Sequence, residues 1–134
     1  MIKVEINKKA KCDLSDSIFR DIIKATLKKL NILDARISLA IVGDKEMQNL
    51  NLKYRKIDEP TDVLSFCNAE IVDGQELEKN YLGEIIIDFN YIIKQAKEMK
   101  HDIKKETKII VNHGLMHLLG YTHEQMRELN IEAI

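Results

Sequence analysis

VLSFCNAEIVDGQELEKNYLGEIIIDF, residues 63–89, decides the fold. Its two ends, VLSFC and LGEIIIDF, are apolar and dense in the residue types that favour strands. Residues 68–80 between them are acidic and polar, with Asp73-Gly74 as a turn signal. A loop joins these two strands, so they can pair antiparallel. Toward the N-terminus the pattern differs. Ile2, Val4 and Ile6 alternate with Lys3, Glu5 and Asn7, which predicts a half-buried strand. A helix of roughly 16 residues follows, with Ile18, Phe19, Ile22, Ile23, Thr26, Leu27 and Leu30 on one face. Asp13 or Ser15 caps its start. A second strand carries Ile37, Leu39 and Ile41 and stops at Gly43. A parallel, right-handed crossover through a helix is the expected link between these first two strands.

Asp44 reads as the cap of a short helix bearing Met47, Leu50 and Tyr54, and Pro60 turns the chain before the VLSFC strand. Beyond residue 89, Asn90 reads as the cap of a helix with Ile92, Ile93, Ala96 and Met99. A last strong helix begins near Asp102 or Ile103, runs to about Leu119, and leaves a frayed helical tail. The order β-α-β-α-β-β-α-α predicts an α+β fold, a mixed four-stranded sheet packed with helices, in one domain over residues 1–134.

Composition is that of a soluble globular protein, with 45% hydrophobic and 32% charged residues in 134. No apolar run reaches the roughly 20 residues of a membrane span. MIKVEINKK at the start lacks the apolar core of a secretory signal. Cys12 and Cys67 form no CxxC pair, which leaves a disulfide between them open. A cytoplasmic protein without membrane contact is expected. The net charge of −1 gives no global field for nucleic acid, so any such contact needs a local patch. Lys97, Lys100, Lys104, Lys105 and Lys108 are one candidate, although a solvated helical face is the preferred reading. His101, after a lysine at a helix junction, is expected on the surface.

HGLMHLLGYTH, residues 113–123, holds three of the four histidines. Residues four apart share a helix face, so His113 and His117 can aim two imidazoles at one point. Gly120 is the residue type that ends a helix in the left-handed conformation, and it lets His123 return to that point. Three neutral imidazoles with one open position describe a catalytic metal site on the helix–turn segment. Zn2+ is the first choice, one per chain; nickel, copper and cobalt also suit imidazole. The HxxxHxxGxxH spacing matches the metzincin protease pattern, but Gly114 stands where that pattern needs its glutamate base.

Two segments resemble the YbeY family of endoribonucleases, the bacterial rRNA maturation factors. LNLKYRKIDEPTDVLSF, residues 50–66, is similar to the family's Tyr-Arg, Pro-Thr turn and VLSF strand, and HGLMHLLGYTH is similar to its HGxLHLxGYDH. LGE at residues 82–84 resembles a family LGD. Thr122 departs from the family's aspartate, an acid able to orient a ligand, and Cys67 stands where proline is common. The chain also ends eleven residues past His123, short of the family's usual acidic helical tail.

The resemblance implies a metal-dependent, single-strand-specific endoribonuclease that acts in 16S rRNA 3′-end maturation and ribosome quality control. It implies rRNA and the small ribosomal subunit with its proteins as partners. The family's metal-binding histidines map onto His113, His117 and His123, and its functional arginine onto Arg55. A guanidinium there suits the charge that builds on phosphate. Asp62 is read as a turn residue, and strand alternation leaves open which face Glu84 takes. Two competing readings are a metal-dependent peptidase-like hydrolase, which the missing glutamate disfavours, and a non-catalytic ribosome-assembly factor with a structural metal. Oligomeric state is not legible in these residues.

Overall fold

The computed structural model describes residues 1–67 and 80–131, so the Asp73-Gly74 turn lies outside the described residues. The elements are β1 (Ile2–Lys8), α1 (Asp16–Lys29), β2 (Ala35–Val42), α2 (Asp44–Arg55), β3 (Val63–Cys67), β4 (Tyr81–Asp88), α3 (Phe89–Met99), α4 (Ile103–Leu119) and α5 (His123–Glu128). The four strands form one sheet in the order β1-β2-β4-β3. β1 and β4 each pair parallel with β2, and β3 pairs antiparallel with β4. This is the α+β architecture with a mixed sheet that the sequence predicts.

Strand alternation sorts the core onto two faces. Val4, Ile37, Leu39, Ile41, Val63, Ile85 and Ile87 meet Phe19, Ile23 and Leu27 of α1, Ile92 of α3, and Ile110 and Leu115 of α4. Each fully buried side chain of this kind stabilises the fold by about 1.5–3 kcal/mol. Ala40, Val42, Leu64 and Ile86 point the other way and meet Met47 of α2. So α1, α3 and α4 cover one side of the sheet, and α2 covers the other. The buried Thr26 hydroxyl donates to Asn112 Oδ1 at 2.7 Å and ties α1 to α4.

The helix starts and the tail differ in detail from expectation. Gly43, not Asp44, is the N-cap of α2. Asp88, not Asn90, caps α3, and its carboxylate accepts from the Tyr91 N–H at 3.2 Å. The tail is not frayed through residue 131: Met126 and Ile131 bury against Met116. His101 is not simply a surface residue, because its Nδ1 lies 2.7 Å from the buried Glu106 carboxylate, which also accepts from Gln95 at 3.0 Å. Neither cysteine is in a disulfide. Lys97, Lys100, Lys104, Lys105 and Lys108 are all exposed, as a solvated face requires. Among the described residues no helix is long and apolar enough to cross a membrane.

Asp88 is fully buried, and its Oδ2 has no hydrogen-bond partner. Burial, followed by the neighbouring Asp44 carboxyl, pushes its pKa up to about 7. The folded state therefore holds a proton that the unfolded chain releases near pH 3.8. Stability from this group is complete below that value and is lost as pH rises through about 7. Asp88→Asn keeps an acceptor for Tyr91 and removes the charge. We expect it to stabilise the fold by on the order of 2 kcal/mol at pH 8 and to change little near pH 4, as read from urea unfolding at both values.

Candidate active site

Asp102 caps α4 by accepting from the Lys105 N–H at 2.7 Å. The helix stops at Gly120, whose φ of 76° is left-handed, and the N–H of Tyr121 returns to Met116 O at 3.0 Å. The chain then turns into α5, whose first residue is His123. Gly120 thus makes the reversal that the HxxxHxxGxxH spacing predicts.

His113 and His117 sit one turn apart with Nε2 atoms 3.0 Å apart, one ring donating and the other accepting. The His123 ring comes back to a centroid distance of 5.5 Å from His113. His117 and His123 are exposed, and His113 is half-buried. Two nitrogens of a tetrahedral zinc site, with Zn–N of about 2.0–2.1 Å, lie about 3.3 Å apart. The His113–His117 pair is within a few tenths of an ångström of that separation. Among the described residues, no three His, Cys, Asp or Glu side chains stand close enough to hold one ion as placed. Closing the set takes movement of exposed rings, which change rotamer in picoseconds to nanoseconds. Burial holds the His117 imidazole below the usual histidine range, and the charges of His113, His123 and Arg55 push the same way. Neutral imidazole is the form a metal requires, so the donor chemistry fits.

Arg55 is the last residue of α2, which ends at Lys56 with a left-handed φ of 63°. It is exposed, and its charge reaches His117. α2 and α4 lie on opposite faces of the sheet, and β3 is the outermost strand at one end of the sheet order, so the Arg55 charge that acts on His117 comes from the other side of the sheet. Nothing in the spacing of residues 55 and 117 reveals this.

Gly114 has a reason that the sequence does not show. A Cβ at this position would stand 2.8 Å from Val63 Cγ2, 3.0 Å from Ile85 Cγ2 and 3.1 Å from Ser65 Oγ. The Ser65 hydroxyl donates to Gly114 O at 2.8 Å. A side chain at residue 114 therefore points into the sheet, away from the histidines. A protease-type glutamate has no place here, which removes the physical basis of the peptidase reading.

Asp62 Oδ1 accepts from the Val63 N–H at 2.7 Å and from the Thr61 hydroxyl, the turn role expected of it. Thr122 accepts from the Gln125 N–H at 3.2 Å, and the Gln125 side chain accepts from the Thr122 N–H at 2.8 Å. An aspartate would cap α5 in the same way, so threonine at this position keeps the turn. Glu84 lies on the α2 face of the sheet, across from Phe66 and alternating with the inward Ile85.

The family model described as Endoribonuclease YbeY matches residues 2–132. A relative named Endoribonuclease YbeY from Aliarcobacter butzleri is 41% identical over 115 residues, covering 84% of this chain and 79% of that protein. One of the same name from Aquifex aeolicus is 39% identical over 99 residues, covering 74% of this chain and 63% of that protein. The solution structure of TM1509 from Thermotoga maritima superposes with a TM-score of 0.61 at 22% identity, covering 97% of this chain and 85% of that one. That likeness shows the shared fold. With sequence relatives at this level and a family match from end to end of the described residues, the chain belongs to the YbeY family.

Proposed function

We propose that this protein is a metal-dependent endoribonuclease that cuts single-stranded RNA in the maturation of the 16S rRNA 3′ end. The observation that carries the reading is the pairing of His113 and His117 at 3.0 Å beside His123, with the Arg55 charge felt at His117. The relatives' printed name, Endoribonuclease YbeY, supports the reaction class. His113, His117 and His123 are the residues that would hold a divalent metal, zinc by first choice and nickel as the next. Such an ion, when bound, supplies Lewis-acid polarisation of a phosphoryl oxygen and lowers the pKa of water.

The chain's own contribution is positional. Arg55 offers a planar fork of donors to phosphate oxygens, on the rim where the histidines open to solvent. Attack on phosphorus, by water or by the RNA's own 2′-hydroxyl, adds negative charge that this guanidinium stabilises. With a net charge of −1, the protein as a whole does not attract RNA, and docking on the small ribosomal subunit and its proteins would supply the encounter. A cytoplasmic location belongs to the same proposal.

Arg55→Ala provides the test. Cleavage of a single-stranded RNA should fall about 10²- to 10³-fold, the usual cost of one donor to a charged transition state. Metal content by elemental analysis should be unchanged. Full cleavage by the variant would remove Arg55 from the reaction. Cleavage by the parent protein after exhaustive chelation would remove the metal.

A further inference from the structure

The α2 side of the sheet holds a cavity of about 230 Å³ that the nuclease reading does not use. Its walls include Leu50 and Tyr54 of α2, Phe66 of β3, and Glu84 and Ile86 of β4. The volume is below the roughly 300 Å³ at which pockets for drug-sized ligands begin, so it suits a single planar ring. Tyr54 and Phe66 meet edge to face at 4.8 Å and form an aromatic corner. Lys9 and Glu46 also line it and pair with each other at 3.9 Å. Glu84 is half-buried, opposite Phe66 in the sheet register, and its carboxylate makes no hydrogen bond or ion pair with another described residue.

A carboxylate only accepts hydrogen bonds, so the occupant must bring donors, and the surrounding walls call for an apolar ring face. Single-stranded RNA is read in this manner, by stacking on aromatic side chains and hydrogen bonding along the Watson–Crick edge. Of the four bases, guanine presents two adjacent N–H donors on that edge. Adenine and cytosine present one amino group beside an acceptor, and uracil sets its N–H between two carbonyls that a carboxylate repels. Tyr54 is followed directly by Arg55, whose charge reaches His117. A base in the pocket would therefore belong to a nucleotide close to the phosphate at Arg55.

We infer that the Tyr54–Phe66–Glu84 pocket binds a guanine base of single-stranded RNA next to the cleavage site. The inference rests on the nuclease reading for its substrate, and its test is independent of catalysis. Guanosine 5′-monophosphate, titrated into chelated protein, should shift the backbone amide resonances of Tyr54, Phe66 and Ile86. Uridine 5′-monophosphate at equal concentration should leave them in place. Glu84→Gln should weaken guanosine monophosphate about tenfold, and inosine monophosphate, which lacks the 2-amino donor, should bind several-fold more weakly to the parent protein. In cleavage assays, replacing the only guanosine of a U-rich oligonucleotide by inosine should slow the parent and leave Glu84→Gln unaffected.

Equal shifts with both nucleotides, or shifts only with a ribosomal protein segment, would overturn the guanine assignment. Guanosine binding without any RNA cleavage would leave the pocket standing and overturn the nuclease reading instead. Cleavage with no guanosine preference would do the reverse.

Discussion

Replacing His117 by alanine is expected to abolish metal retention and RNA cleavage while leaving the fold intact. The side chain is exposed, and among the described residues its hydrogen bond runs only to His113, so the change in folding stability should stay within about 0.5 kcal/mol. Loss of one imidazole leaves two donors, and metal affinity should fall by more than the 10- to 100-fold typical of groups that merely support a ligand. Cleavage should drop to the level of chelated parent protein. Elemental analysis, thermal unfolding and an RNA assay on one preparation check all three. Full metal stoichiometry in the variant would eliminate the proposed ligand set. If His117 holds a metal as proposed, its lowered pKa would extend metal retention toward acid, because the ring stays neutral where an ordinary histidine has begun to protonate.

Gly114→Glu, which would complete the metzincin pattern, is expected to unfold the protein rather than confer peptidase activity. The new Cβ would fall 2.8 Å from a methyl group of Val63, a β-branched residue with little χ1 freedom in a strand paired to β4. Overpacking alone costs about 1–3 kcal/mol. A carboxylate forced toward Ile85 without a partner adds several more. Against a typical total stability of about 5–15 kcal/mol, that sum is severe. Gly114→Ala separates the effects: helix propensity favours it by about 1 kcal/mol, while the clash opposes it, so a net loss of about 0–2 kcal/mol is expected. Thermal unfolding of both variants, with a casein assay on any soluble Gly114→Glu, checks this. A folded glutamate variant with unchanged melting temperature would contradict the packing account.

Much of the fold is legible because each strand and helix carries its own periodicity. Ile37, Leu39 and Ile41 announce their shared face, and the polar sequence of residues 68–80 with its Asp73-Gly74 turn signal announces the antiparallel pair. What single-element patterns cannot give is the neighbour of each strand. β4 lies between β2 and β3, an order that periodicity within single elements does not reveal, and the Arg55 charge acts on His117 across it. The cap errors have a local cause. Asp88 ends a strand and starts a helix in a single residue, so the polar Asn90 two positions on is the more obvious signal. His101 looks exposed from its lysine neighbours because the buried Glu106 that holds it is recognisable only once α3 and α4 are packed. Glu84 was ambiguous for the same reason: a strand covered on both sides by helices has no outside. Gly114 read as a missing acid, whereas its role is steric. The three histidines and Gly120 were legible because their geometry lies within one helix and one turn.

The contact at Gly114 also fixes where α4 can rest along its own axis. Sliding by one turn, about 5.4 Å, would bring a residue with a side chain into the gap between Val63, Ser65 and Ile85. Only one axial setting is open, and the Ser65 hydroxyl latches it. The missing side chain thus acts as a keyway: it indexes the two helical imidazoles against the outer strand, and through that strand against Arg55 on the far side.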